Sequence, residues 1–454
     1  MIHSFTFDDL NIVLDVHSGA VHIVDDVTCK ILEYYPEESM SIIVEKLSPL
    51  FGHQQVKEAL TEIEHLVSKG LLFSIDNVGT EYKPVGSPVI KAMCLNLAHD
   101  CNLRCRYCFA GQGPFGGDRS LMSFEVGAAA LDFIIKHSGP REHVEVDFFG
   151  GEPLLNLEVL KKLVSDGKDK AARAGKKIKF TVTTNALLLN EQTARYLVEE
   201  GLNVVLSLDG RPEVHDAMRP FPSGSGSYGI AAANIKKFIE SYNFDNYYVR
   251  GTFTRHNRDF AADVLHMAQL GLKHLSIEPV VGGPGEDYSL QESDIPQIYS
   301  EYEKLTRHLL ALKKKGREID FFHFNIDLEG GPCLKKRISN CGAGNEYIAV
   351  TPSGEIYPCH QFVGQEGFRL GDVFQGISNE RTVRDFQNAY IYNKEQCPEC
   401  WAKFFCSGGC HANAYFFKGT INSPYETGCE LMKKRLECAL YLKAKEMLGC
   451  VEQG

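Results

Sequence analysis

The sequence predicts an α/β protein: a partial barrel of six strand–helix units, with a small unit before it and a cysteine-rich unit after it. Three observations predict this. Between Val89 and Pro279, short runs rich in β-branched residues alternate six times with helical stretches. Such alternation implies parallel strands joined by helices. Residues 1–80 carry a hairpin pattern and then two amphipathic helices. Beyond the barrel the cysteines concentrate, so that eleven of the chain's fifteen lie in two groups, 101–108 and 333–429.

Taken in order, Ile12, Leu14 and Val16 alternate with outward positions, and Ser18-Gly19 turns the chain into Val21-His22-Ile23, a hairpin pattern. A first helix carries Ile42, Ile43 and Leu47; a second carries Val56, Leu60, Ile63 and Val67 on one face. Gly70 ends it, and Leu71-Leu72-Phe73 is expected to be a short strand. This makes residues 1–80 a winged-helix-like unit, and with no basic patch a DNA-binding role is not expected. The alternatives are a structural cap or a docking domain that adds an extended peptide to an exposed strand edge. Residues Asp76 to Pro88 read as a polar, Gly/Pro-rich linker.

The barrel strands are expected at Val89–Leu97, Val144–Phe149, Lys179–Thr184, Val204–Leu208, Tyr247–Thr254 and His274–Glu278. A helix from Ser123 to His137 follows the first, and Leu157, Leu160, Leu163 and Val164 share a face of the next. Six units fall short of the eight that would close a barrel. A long helix spans about Asp294 to Lys315. The chain is then loop-rich to Cys429 and ends in a helix rich in Lys, Glu and Leu. The expected domains are 1–80, a barrel over 89–320, and a cysteine-rich domain over 321–454.

Composition excludes several classes. The 454 residues are 44% hydrophobic and 24% charged, as in an ordinary globular protein. A net charge of −11 argues against nucleic acid as the main partner. No apolar run reaches membrane-spanning length, and Met1-Ile-His-Ser followed by Asp8-Asp9 is not a signal-peptide pattern, so a cytoplasmic location is expected. Fifteen cysteines in such a chain read as metal ligands rather than disulfides. Cys29, Cys94, Cys438 and Cys450 stand apart and are taken as buried or incidental thiols.

The loop after the first barrel strand holds Cys101, Cys105 and Cys108. Three thiolates so close together can hold three irons of a cubane cluster and leave the fourth without a protein ligand. Three thiolates and a water on zinc are the alternative. The Gly150-Gly151 turn permits close approach of backbone to a ligand. The cysteine loop, Gly150-Gly151, Asn185 and Ser207 all fall at the carboxyl ends of strands, where ligands of such folds bind.

Cys-x3-Cys-x2-Cys with Tyr107 before its last cysteine resembles the signature of the radical S-adenosylmethionine (radical SAM) superfamily. The resemblance implies a [4Fe–4S] cluster whose open iron is chelated by S-adenosylmethionine. Its reductive cleavage yields a 5′-deoxyadenosyl radical that removes a hydrogen from a substrate. In such enzymes Gly150-Gly151-Glu152-Pro153 would bind the methionine ammonium. Thr184-Asn185 would bond the ribose, and Ser207 and Arg219 would hold the carboxylate. Asp209 reads equally well as a turn and cap residue.

The spacing Cys341-x12-Gly354-x4-Cys359, then Cys397-x2-Cys400-x5-Cys406-x3-Cys410 and Cys429, resembles the SPASM pattern. That implies two auxiliary [4Fe–4S] clusters, for three in all. Cys341, Cys359 and Cys410 would ligate one, and Cys397, Cys400, Cys406 and Cys429 the other. Cys333 would complete the first or leave an iron open for a substrate thiolate. The whole arrangement is most similar to maturases of six-cysteine (SCIFF) peptides, related to sactipeptide synthases. These form thioether crosslinks in a cysteine-rich precursor peptide, docked by its leader on the N-terminal domain, with electrons from a donor such as flavodoxin or ferredoxin. The rival is the anaerobic sulfatase-maturing enzyme, which makes formylglycine and carries a carboxylate base where this chain has His360. His360 is expected to be either a structural histidine or a proton-handling one. Outside the enzymes, an iron–sulfur electron carrier or zinc scaffold is the alternative.

Overall fold

A computed structural model describes residues 1–79, 82, 84, 86, 88–328 and 334–451. Strands β1 (Ile2–Phe7), β2 (Leu10–Asp15) and β3 (Val21–Val24) form an antiparallel sheet in that order. The expected turn is there. Gly19 takes φ +74°, and the buried Asp15 carboxylate accepts from the Ser18 amide and hydroxyl. Three helices follow: α1 (Asp26–Leu32), α2 (Met40–Phe51) and α3 (His53–Ser68). Neither α1 nor β1 is anticipated by a pattern in the sequence. α3 buries Val56, Leu60 and Ile63, the face its spacing predicts, whereas Ile42 on α2 points outward and is 44% exposed.

Two expectations fail here. Leu71–Phe73 is not a strand: Gly70 and Phe73 take left-handed φ of +68° and +50°, which turns the chain so that Leu72 plugs the small core. β2 also does not alternate between core and solvent. Ile12 packs with the barrel core, Val13 with α1–α3, and Leu14 with Ala402, Leu436 and Leu440. All three are fully buried, because the strand is covered on both faces. The linker from Asp76 to Pro88 lies partly outside the described residues.

The barrel strands are β4 (Ala92–Ala98), β5 (His143–Gly150), β6 (Lys177–Thr184), β7 (Asn203–Ser207), β8 (Tyr247–Phe253) and β9 (His274–Pro279). All neighbours pair in parallel. Their connections are α4 (Phe124–His137), α5 (Leu157–Arg173), α6 (Glu191–Glu199), α7 (Pro212–Met218) with α8 (Tyr228–Tyr242), and α9 (Phe260–Gln269). Helix starts follow capping chemistry: Ser123 and Asn190 accept from the Val126 and Thr193 amides. α5 buries Leu160, Leu163 and Val164. α10 (Ile295–Lys314) follows β9.

Among the described residues the sheet extends past the six predicted strands to eleven. β10 (Asp320–Phe321) pairs in parallel with β9 at one edge, and β11 (Tyr347–Val350) in parallel with β4 at the other. β12 (Glu355–Tyr357), β13 (Gly371–Asp372) and β14 (Gly376–Ile377) continue beyond β11 as antiparallel neighbours. These strands have two to four residues, too few for a hydrophobic period to register. Their consequence is large. The segment carrying Cys359 and His360 is tied through the sheet to the strand that delivers Cys101.

The remaining helices are α11 (Glu380–Asn388), α12 (Lys403–Cys406), α13 (His411–Lys418) and α14 (Glu426–Val451). α14 runs along α10, joined to it by Tyr299–Glu430 at 2.7 Å and Lys313–Glu446 at 2.8 Å. Among the described residues no helix is long and apolar enough to cross a membrane.

Candidate active site

The loop leaving β4 is held from two sides. The Arg104 and Arg106 amides donate to the Pro220 and Met218 carbonyls at 2.8 and 2.9 Å, and the Arg104 guanidinium donates to the Cys101 and Leu103 carbonyls. Leu103 is buried beneath. The backbone is thereby wound so that Cys101, Cys105 and Cys108 face one cavity of about 200 Å³ at the carboxyl ends of the strands.

Gly150 and Gly151 line the same cavity, but space is needed on their other side. A side chain on Gly150 would strike the Ala98 carbonyl, and one on Gly151 the Asp100 carbonyl. The Gly151 amide donates to Ala98 O at 2.7 Å, and Gly150 has φ +127°. The glycine pair therefore first lets β5 exit against the cysteine loop, a reason different from approach to a ligand.

Glu152 departs from its expected role as a cofactor contact. It is fully buried, does not line the cavity, and accepts from Thr184 Oγ1 and the Asn185 amide, both at 2.8 Å, and from Leu154 N at 3.1 Å. Burial raises its carboxyl to about 7. Its work is to hold the end of β6, whose Thr184 and Asn185 do line the cavity. Asn185 reaches Asn102 in the cysteine loop at 2.7 Å.

Tyr107, Ser207 and Arg219 line the cavity too. Asp209 is the centre of their arrangement. Fully buried, it accepts from Tyr107 OH at 2.5 Å, Arg219 Nε at 3.0 Å and the Thr252 amide at 3.0 Å. The Arg219 guanidinium lies 5.4 Å from the Tyr107 ring centre. Burial acts to lower Arg219, but the Asp209 carboxylate outweighs it and the guanidinium stays firmly charged. A turn-and-cap role does not describe this residue.

His360 stands at the far wall, stacked with Phe149 at 5.2 Å and 3.1 Å from Tyr347 OH through Nδ1. Burial, aided by the Arg250 charge, lowers it to about 4, so the imidazole is neutral at pH 7. Sequence reasoning missed Phe109, Phe149, Arg250, Thr252 and Glu278 in the lining. Thr252 and Glu278 were accessible in principle, since they stand one residue before the ends of β8 and β9, whereas Arg250 lies mid-strand opposite Ser207. Glu278 faces Arg435 and His323 at 3.6 Å and Arg250 at 3.8 Å.

Seven further cysteines gather in two places. Cys397, Cys400, Cys406 and Cys429 line a second cavity of about 210 Å³. Cys341, Cys359 and Cys410 sit close enough for the charge of one to act on the next. Cys333 lies outside the described residues. Cys94 and Cys438 are buried, and Cys29 is half-buried against Ser4 Oγ. Burial raises Cys101 and Cys105 to about 12 and Cys429 to about 12. Ligation to iron reverses that preference, because the cation favours thiolate. The soft thiols of the Cys101 and Cys397 sets line voids, which fits iron–sulfur clusters.

Residues 95–264 match the model of the Radical SAM superfamily, and residues 341–401 that of SPASM, an iron–sulfur cluster-binding domain. The chain is 25% identical to the cysteine-type anaerobic sulfatase-maturating enzyme of Clostridium novyi, over 74% of this chain and 92% of that enzyme. The fold superposes on anSMEcpe, solved with bound AdoMet and Cp18Cys peptide, with TM-score 0.64 and 21% identity, covering 78% of this chain and 99% of that one. Streptococcus suis SuiB bound to precursor peptide SuiA matches with TM-score 0.51 and 14% identity, covering 92% of this chain and 96% of that one.

Proposed function

We propose that this chain, a radical SAM protein with a C-terminal SPASM domain, is a peptide maturase that forms thioether crosslinks between cysteine sulfur and carbon in a ribosomally made precursor. One observation carries the reading. A single cavity runs from the Cys101-Cys105-Cys108 loop to His360 and Gln361, the residues that follow Cys359 of the first auxiliary set. A peptide lying there has a radical source on one wall and a thiol-bearing cluster site behind the other.

When bound, the cluster and S-adenosylmethionine supply the hydrogen-abstracting radical. The chain's own residues do the rest. Cys101, Cys105 and Cys108 would hold the cluster. Tyr107, Asp209 and Arg219 fix a charged guanidinium at the cavity wall for a carboxylate, while Asn185 and Ser207 present hydrogen-bonding groups beside it. Phe109, Phe149 and His360 pack against one another as an aromatic wall. Cys341, Cys359 and Cys410 would hold one auxiliary cluster; Cys397, Cys400, Cys406 and Cys429 would hold the other.

Residues 1–80 are read as the leader-docking domain. The outer edge of β3 has no strand partner among the described residues, and Ile23 on it is 38% exposed. An extended leader added there is held on a body joined to the barrel through β2, which raises the local concentration of its core segment. The likeness to SuiB, solved with its precursor peptide SuiA, supports a peptide substrate.

Formylglycine formation is the second reading, favoured by the likeness to the Clostridium novyi enzyme. His360, neutral and packed among aromatic rings, stands where that chemistry is expected to use a carboxylate. Anaerobic incubation of the reconstituted protein with a cysteine-rich precursor, followed by mass spectrometry, separates the two. Loss of two hydrogens per modified cysteine, with both residues linked, is expected. Conversion of one cysteine to an aldehyde would establish the second reading instead.

A further inference from the structure

Lys394 lies between the two auxiliary thiol sets and has no part in the cavity at the strand ends. It is 2% exposed. Its Nζ donates to the Gly408 carbonyl at 2.7 Å and faces His411 Nδ1 at 3.3 Å. Its stem covers Gly408, where an added side chain would meet Lys394 Cδ at 3.3 Å. Gly408 lines the four-thiol cavity, and His411 follows Cys410 of the other set.

Among the described residues no carboxylate pairs with this ammonium. Burial lowers the ammonium from the ordinary lysine range, and the groups that oppose this are the Cys397 and Cys406 thiols on one side and the Cys410 and Cys341 thiols on the other. His411 meets it with a ring nitrogen and not with a carboxylate. A buried cation without a counter-charge is strongly unfavourable, and the side chain would be replaced at little cost if packing were its only purpose. Thiolates ligating iron are the counter-charges that this position offers, and they come from both sets.

We propose that Lys394 is a positioning residue whose buried charge, placed between the two auxiliary sites, sets the reduction potential of the clusters bound there. The proposal rests on the two-cluster reading above. Reduction adds one electron and no proton to a cluster, so its negative charge grows by one. A fixed cation nearby favours that state, in a low-dielectric setting where the attraction is weakly screened.

The test uses the full chain with Cys101, Cys105 and Cys108 replaced by Ala, so that only auxiliary signals remain. Lys394→Met, Lys394→Gln and Lys394→Arg are compared with the unaltered Lys394 by dithionite titration under electron paramagnetic resonance, with iron measured on each sample. The two neutral variants should lower an auxiliary potential by at least about 59 mV, tenfold in the one-electron equilibrium. Lys394→Arg should hold the original value. Iron-loaded Met or Gln variants with unchanged potentials would overturn the proposal. So would failure of both to take up iron, which would make Lys394 a folding residue. If the Lys394 protein itself binds no iron at these thiols, the two-cluster reading fails first, and iron content tells that case apart.

Discussion

Replacing Asp209 with Asn is the sharpest test of the site, because one atom is asked to hold two others. Asp209 Oδ2 accepts from Arg219 Nε at 3.0 Å and from Tyr107 OH at 2.5 Å, with no exposure to water. Asn keeps the shape and removes the charge, and it turns one acceptor into a donor facing two donors. Hydrogen bonds to charged groups are worth about 1.5–3 kcal/mol each, and breaking a buried pair costs about 3–5 kcal/mol. Arg219 retains other orientations within the cavity, so about 2 kcal/mol is expected to appear as lost binding of S-adenosylmethionine. At about 1.4 kcal/mol per decade that is roughly 30-fold in Kd. Anaerobic calorimetry on reconstituted protein measures it, with iron content confirming that the cluster is retained. An iron-loaded Asp209→Asn protein that binds within twofold of the wild type would refute the argument that this carboxylate orients Arg219.

Three further outcomes are expected. Burial by itself would raise Asp76, but the Lys403 ammonium at 3.0 Å and the Tyr392 hydroxyl at 2.9 Å more than offset it and hold the carboxyl at about 2. Its folded value lies below its unfolded value, so its stabilisation is present above pH about 4 and fades as pH falls through about 2; discounted for partial exposure, Asp76→Asn should cost about 1–2 kcal/mol at pH 6 in denaturant unfolding, with the gap closing on acidification. Ile23→Glu on β3 should weaken capture of a labelled leader peptide at least tenfold in fluorescence anisotropy while leaving cleavage of S-adenosylmethionine unchanged, about 1.4 kcal/mol on the affinity scale. Replacing Cys101, Cys105 and Cys108 with Ala should abolish 5′-deoxyadenosine formation and remove about a third of the bound iron, roughly four of twelve by cysteine ligation.

Much of the site was legible because its parts are local. Cys101, Cys105 and Cys108 fall within one turn-sized segment, and Gly150-Gly151, Thr184-Asn185 and Ser207 each end a strand whose hydrophobic period marks where it stops. Residues at the ends of parallel neighbours must meet, whatever the details of packing. Asp209 and Glu152 were read less well, since nothing in their neighbours tells which distant donors a buried carboxylate will find. Asp209 meets Tyr107 from a loop about a hundred residues earlier, and Glu152 meets Thr184. Thr252 and Glu278 stand near strand ends that pointed to them, whereas Arg250 sits in the middle of β8 and carries no such signal.

The sequence by itself determined the order of units, the α/β class and the cysteine spacings, because these depend on local periodicity and on residue type. Tertiary structure decided what the units do to one another. Short strands β11 and β12, too brief to carry a period, bring Cys359 and His360 beside the cysteine loop. β2, expected to face water on one side, is buried on both and joins the N-terminal unit to the rest. Lys394 carries no distinguishing pattern in the sequence, and folding buries it between two sets of thiols. Local pattern fixes which segments are strands or helices, but only the closing of the chain decides which charges end up buried together, and from that follow the orientation of Arg219 and the setting of the auxiliary sites.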